Sequence, residues 1–475
     1  MLAAVGGSAF FIPEGRYLIT AGAVSILPQT SLGVYAILLA AACTIVQVWL
    51  AVAAVNAVLL TKAPAAPGIE ARPSKIAIIL AGCVAAFGFL RTPILSIFAA
   101  ICGFEAAHSS VHAAFWMLYL GAFASGIAFF LNLRRIGVII GVAASALALF
   151  TVWAFPASPL SQLFLVLVTV GALIISIYSI GYMANEERQG WYWFFLLLTF
   201  GALLNIVTTD NIGTLASQWE VMTWASFALV AWERTSKARD AAIKYVVLCC
   251  SAAYLMIVGF FMIGGNHTQY GEIVANLAVH SDDVLKFALV FTLLGFAAKA
   301  GLVPLHSWLP DAHPAAPSSV SAPLSGVLTK MGVFGVVTVY FGLIGYKELA
   351  STGTYGGLTA PGLMVTFMGL CTMAYGEWMA LRQEDLKRML AYSTMGQVGE
   401  IFTVLGLGTW LAAAGALSHV LNHAIMKDLL FLCAGGLIFR VGSRKLSDLA
   451  GLVHEMPWAV GCMSIGIVSI MGLPP

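Results

Sequence analysis

Four ionisable residues, Glu220, Lys299, Lys330 and Lys427, sit inside long apolar stretches of this chain. On insertion scales such a group at the centre of a bilayer costs roughly 2.5–3.5 kcal/mol, so each marks a functional site by default. One carboxylate and three amines are the minimal kit for a buried proton relay. Desolvation favours the neutral amine, which lets a buried lysine both give and take a proton.

Each group has a distinct setting. Glu220 lies in QWEVMTWASFALV (218–230), near mid-depth of its expected span. It could hold or repel a proton as a neighbouring charge moves, or stay protonated and hydrogen-bonded. Lys299 is followed five residues later by Pro304. Proline cannot donate a backbone hydrogen bond, so a broken helix is expected there. Breaks at membrane depth survive only where they line protein or a wet cavity, and they recur at ion sites of transporters. Lys330 follows Ser321, Ser325 and Thr329, spaced by four. That stripe suggests a wetted path on one helical face, or simply hydrogen bonds between helices.

His419, His423 and Lys427 are also spaced by four, over about 12 Å of helix. Histidine titrates near neutrality, so this ladder could pass protons stepwise. Structural hydrogen bonding of the His pair is the alternative. Haem ligation fits poorly, because no partner His pair stands out.

Supporting candidates are less clear. Lys244 is either Glu220's partner or a lysine reaching the surface. His306, Asp311 and His313 form a polar funnel at the end of the broken span, or ordinary loop polarity. Glu400, about twelve residues into its span, extends the relay or faces a partner subunit. Glu377 lies near a span end, and Arg91 has no evident partner.

These residues need helices to position them. The chain has 475 residues, 60% hydrophobic and only 9% charged, where soluble domains carry ~25% charged. Its mean hydropathy is +0.94. Apolar runs of membrane-spanning length recur almost throughout. The expected fold is an all-α polytopic membrane protein with about 14 transmembrane helices, from 31–61 to 456–475. A β-barrel would alternate in short segments instead. Arg134, Arg135, Arg188, Arg234, Lys237, Arg382, Lys387, Arg444 and Lys445 fall in loops of one side, which should face the cytoplasm. No linker is long enough for a soluble domain. The net charge of +2 gives no sign of nucleic-acid binding, and residues 1–30 lack the pattern of a cleavable signal peptide. The eight cysteines have no metal spacing, so no metal and no cofactor are expected on this chain.

Several long motifs carry a resemblance. The Trp219–Glu220 pair, GFAAKAGLVPLHSWLPDAHPAAPSSVSAP (295–323), the LTKMG lysine, RQEDLKRMLAYSTMGQVG (382–399), LNHAIMKDLLFLCAG (421–435) and GLPP (472–475) occur in the order of one family. Together they resemble the antiporter-like subunits of respiratory complex I, of Mrp-type cation/proton antiporters and of membrane-bound hydrogenases. Residues 423–452 look nearest the hydrogenase and formate hydrogenlyase branch. The resemblance implies two inverted five-helix repeats, each with a broken helix, and half-channels meeting along a midplane row of charges. It makes Glu220 the coupling carboxylate, Lys299 the central lysine and Lys330 the connecting lysine. His423 and Lys427 then bridge to the second half-channel. A Glu220–Lys299 pair at ~4 Å and an effective dielectric of ~20 is worth about 4 kcal/mol, enough to switch a buried lysine.

In this frame residues 1–105 are an N-terminal extension with two extra helices, and 106–185 are leading helices. Residues 186–345 form the first repeat. Residues 346–475 form a second repeat cut at its own broken helix, marked by Pro474 and Pro475. A carboxylate terminus at that depth is implausible, so the chain is expected to continue past Pro475, or a partner to complete the helix. The expected function is a proton-translocating, non-catalytic subunit of a redox-driven or antiporter complex in the inner membrane. Its partners would be neighbouring antiporter-like or channel subunits and the lipid bilayer, with no nucleic acid. The alternatives are a non-pumping membrane anchor, which would gain stability by losing its buried charges, and Na⁺/H⁺ antiport. A row of Lys and His favours protons over sodium, which prefers oxygen ligands.

Overall fold

The computed structural model describes residues 112–154, 158–277 and 282–472. The expectations placed on residues 1–105, Arg91, Pro474 and Pro475 lie outside the described residues. In chain order the helices are α1 (His112–Phe130), α2 (Arg134–Ala154), α3 (Pro159–Tyr182), α4 (Gln189–Thr208), α5 (Ile212–Val230) and α6 (Ser236–Gly264). They continue as α7 (Tyr270–Asn276), α8 (Asp282–Ala300), α9 (Leu309–Ala315), α10 (Ser318–Pro323), α11 (Lys330–Val336) and α12 (Tyr346–Ser351). The last four are α13 (Ala360–Ala380), α14 (Leu386–Leu405), α15 (Trp410–Val441) and α16 (Pro457–Ile470). Two π-helical segments, Leu324–Leu328 and Val337–Ile344, flank α11.

Local chemistry sets the helix starts. Ser158, Asn211, Thr235, Thr359, Asp385 and Thr409 each accept a hydrogen bond from a backbone N–H of the first turn, satisfying one of the donors left free there. Gly442 ends α15 in a left-handed conformation with φ of 75°, which costs a glycine little. Between α12 and α13 the strands Thr354–Tyr355 and Leu358–Thr359 pair antiparallel across Gly356 and Gly357, a two-residue turn with φ of 58° and 83°.

Length and composition allow α3, α4, α6 and the composite run Ser318–Ile344 to cross a bilayer. Helices α8 and α15 have comparable lengths of 19 and 32 residues but carry charged groups. The closest pairing joins α13 to α14. A Cβ at Gly369 would meet the Thr403 backbone nitrogen, and one at Gly376 that of Gly396. Glycine at these positions lets the two backbones approach, as membrane helices require when small residues do the packing.

Two expected spans differ from simple helices. The span expected at 284–309 stops as a helix at Ala300 and resumes at Leu309, with a cis Val303–Pro304 bond between. The polar groups freed there are partly satisfied: Trp308 Nε1 donates to the Ala298 carbonyl at 2.8 Å, and the Val303 amide donates to Thr372 Oγ1 at 2.9 Å. The span expected at 318–345 is an α–π–α–π composite. Pro323 removes one ladder donor. The Thr329 amide then reaches back five residues to the Leu324 carbonyl, at 3.4 Å.

Candidate functional site

Helix α5 presents Glu220 two turns from its N-terminus, on a face shared with Thr223 and Trp224. Glu220 Oε2 accepts from Trp224 Nε1 at 3.2 Å and from Cys250 Sγ on α6 at 3.4 Å, while Oε1 is buried without a partner. Lys299 occupies the last turn of α8 and is 1% exposed. Its Nζ donates to Tyr245 Oη at 2.6 Å and to Thr223 Oγ1 at 3.0 Å, and lies 5.0 Å from the Tyr245 ring centroid. Tyr245 also shares a 2.7 Å hydrogen bond with Ser226. Lys299 thus has hydroxyl partners and is not in ion-pair contact with Glu220. Its partner Thr223 lies one helical turn on from Glu220, so the contact pair expected from sequence is absent.

Lys330 opens α11, directly after the first π segment, and is 0% exposed. Its Nζ donates to the Ser325 carbonyl at 2.5 Å and to Thr329 Oγ1 at 3.3 Å. The hydroxyls of the four-residue stripe each hold a hydrogen bond. Ser321 bonds the His313 carbonyl at 2.9 Å, Ser325 bonds Thr394 of α14 at 2.7 Å, and Thr329 bonds the Ser325 carbonyl at 2.7 Å. The π segment shifts the register that a straight helix would have kept.

Lys427 lies in the middle of α15, 0% exposed. Its Nζ donates to the Leu390 carbonyl at 3.2 Å and, more closely, to Ser393 Oγ on α14. His419 reaches Gln397 Oε1 at 3.0 Å and Glu400 at 3.9 Å. The His419 and His423 rings are 5.9 Å apart, and both nitrogens of His423 are buried without a partner. No hydrogen bond joins Lys299 to Lys330.

Other expected members lie elsewhere. Lys244 pairs with Asp311 at 2.8 Å and is 43% exposed, so it is not Glu220's partner. Arg388 joins the same aspartate at 3.5 Å. This cluster ties α6, α9 and α14 at one end of the bundle. His306 packs its ring against Tyr375, 4.7 Å between centroids, with Nδ1 unpaired. His313 is no loop residue. It is fully buried, stacked on Phe431 at 4.8 Å, and neither of its nitrogens has a partner. Glu400 is half exposed on α14. Among the described residues no three His, Cys, Asp or Glu converge as a metal site, and Cys249, Cys250, Cys371, Cys433 and Cys462 are free.

Asp428 escaped the sequence reading. It follows Lys427 directly, and a Lys–Asp neighbour pair reads as self-neutralising. Adjacent residues on a helix point about 100° apart, so the two face different helices. The signal was available as a second charge in an apolar helix.

Comparison with known proteins places this geometry. Residues 209–475 match the family model described as NADH:quinone oxidoreductase/Mrp antiporter, TM. Residues 147–195 match that of the NADH-ubiquinone oxidoreductase (complex I) chain 5 N-terminus. Hydrogenase-4 component B of Escherichia coli (strain K12) is 31% identical over 66% of this chain and 48% of its own length. NADH-quinone oxidoreductase subunit N of Desulforudis audaxviator is 33% identical over 67% of this chain and 62% of its own. Na(+)/H(+) antiporter subunit A1 of Staphylococcus haemolyticus is 33% identical over 66% and 40%. The chain therefore spans about half the length of the curated relatives it matches. Its fold is similar to a chain of the archaeal membrane-bound sulfane sulfur reductase, with a TM-score of 0.68 at 24% identity, covering 77% of this chain and 79% of that one. It is likewise similar to a chain of the Mrp complex from Dietzia sp., with a TM-score of 0.67 at 24% identity, over 76% and 42%. With most of the charge-bearing helices inside the matched region, this chain belongs to the NADH:quinone oxidoreductase/Mrp antiporter transmembrane family.

Proposed function

We propose that this chain is a proton-translocating membrane subunit of a larger redox-driven or antiporter complex. In this reading about fourteen spans form two inverted repeats, and protons move along Glu220, Lys299, Lys330, His423 and Lys427. His306, His419 and Glu400 serve as supports. The Lys/Arg-rich loops face the cytoplasm, and neighbouring membrane subunits supply the driving charge change. One observation carries the reading. Three fully buried lysines are held by hydroxyls and backbone carbonyls, and none is in contact with a carboxylate. A lysine locked to a buried carboxylate would stay charged, whereas neutral oxygen partners serve both its protonation states. An inert anchor would gain stability by replacing such groups with apolar ones, so their retention argues for use.

The unpartnered atoms of Glu220, His306, His313, His423, Ser318 and Ser319 add support. Each buried polar atom without a partner costs about 1–3 kcal/mol, which internal water relieves at modest cost. A wetted connection between the lysines follows. The test is proton uptake by inverted membrane vesicles holding the intact parent complex, wild type against Lys299→Ala. We expect at least a tenfold loss with assembly unchanged. Undiminished uptake would return the chain to the anchor reading. Uptake that requires external sodium would favour antiport.

A further inference from the structure

Lys427 and Asp428 are chain neighbours with opposite outlooks. Lys427 turns to α14, where it finds Leu390 and Ser393. Asp428 turns to the first π segment. A Cβ at Gly326 would overlap the Asp428 carboxylate, and one at Gly171 on α3 would lie 4.0 Å from Oδ2. The carboxylate therefore sits where α3, α15 and the π segment meet, and only a glycine at 326 leaves it room. Its Oδ1 is buried and has no hydrogen-bond partner. The next residue along the π segment from this contact is Ser325, whose carbonyl holds the Lys330 ammonium. Asp428 and Lys330 thus meet successive residues of the π segment, Gly326 and Ser325.

The geometry points to Asp428 as a counter-charge of Lys330 that acts across the π segment without contacting the lysine, which gives the row a second acid–lysine set at its middle, beside that of Glu220 and Lys299. This rests on the proton-translocation reading. A carboxylate without its own hydrogen-bond partner is stabilised chiefly by a nearby cation, and it stabilises that cation in turn. Asp428 belongs to the same helix as Lys427, and Lys330 to the preceding half of the chain. The charge of one half is thereby tied to a helix of the other. The other titratable groups near this junction are His419, His423 and Lys427 on α15 itself, and His313 of α9, which stacks on Phe431 of α15. From α3 comes Tyr178, whose hydroxyl is committed to the Leu432 carbonyl at 3.1 Å.

The test uses vesicles containing the intact complex and compares Asp428→Asn, Lys330→Ala, their double variant and Lys299→Ala. Without the carboxylate Lys330 holds its proton less firmly. Asp428→Asn should then cut proton uptake at neutral and alkaline pH at least tenfold and move the pH profile about one unit toward acid. The double variant should be no worse than Lys330→Ala alone, because the two act as one unit. A wild-type profile in Asp428→Asn, with Lys299→Ala inactive, overturns the role of Asp428 and leaves the proposed function standing. Normal uptake in both variants overturns the function and this inference together. If Asp428→Asn fails to assemble, Gly326→Ala displaces the carboxylate without removing it. A shifted profile there supports the pairing, and an unshifted one overturns it.

Discussion

The Lys299 and Lys427 sites place the same side chain in opposite helical settings. Lys299 is the penultimate residue of α8, where the chain unwinds. The carbonyls of a helix C-terminus carry the negative end of its dipole and favour a cation there. Lys427 sits seventeen residues into the unbroken α15 and has no such help. It leans instead on the Leu390 carbonyl and Ser393 of a neighbouring helix. The first site adds its own helix end to hydroxyls of α5 and α6, whereas the second relies on α14 alone. A lysine at its own helix end keeps part of its stabilisation when neighbours move. One that depends on another helix changes as that helix moves.

Three substitutions would break or sharpen this contrast. Tyr245→Phe has the largest expected effect: it removes the 2.6 Å partner of Lys299, yet keeps the ring and leaves Ser226 its bond to the Met222 carbonyl. A buried hydrogen bond to a charged group is worth about 1.5–3 kcal/mol, so initial proton-uptake rates should fall about tenfold or more. A smaller loss would mean the helix end alone suffices. Ser393→Ala takes one of two partners from Lys427 and leaves the Leu390 carbonyl. About 1 kcal/mol is at stake, a severalfold drop in the same assay. A drop as large as that of Tyr245→Phe would make packing the more critical support. Lys244→Ala should do least. Its pair with Asp311 is exposed, and Arg388 still serves the aspartate, so thermal stability in detergent should change by under about 1 kcal/mol. A larger change would show that this end of the bundle governs both sites.

Much of this was legible because charge is rare in the chain. Glu220, Lys299, Lys330 and Lys427 stand out in apolar runs, and Pro304 announced the interruption after Ala300. The helix starts at Ser158, Asn211, Asp385 and Thr409 could be read from residue type. What sequence spacing cannot give is which faces meet. Lys244 finds Asp311 across 67 residues, and Ser325 finds Thr394 across 69. His313 looked like part of a polar loop, yet it stacks on Phe431 of α15. The π segments were hidden for another reason. A straight 3.6-residue period was assumed through Pro323, and one extra residue per turn moves every later side chain around the axis.

The 2.9 Å bond from the Val303 amide to Thr372 has a mechanical meaning. The unwound stretch after Lys299 is latched by a side chain of α13, which lies in the following half of the chain. The donor is main chain and the acceptor is a threonine hydroxyl, so the latch holds only while Thr372 keeps this rotamer. A tilt of α13 must either carry the 301–308 segment with it or give up a buried hydrogen bond. The unwound stretch is thus tied to the glycine-packed pair α13 and α14.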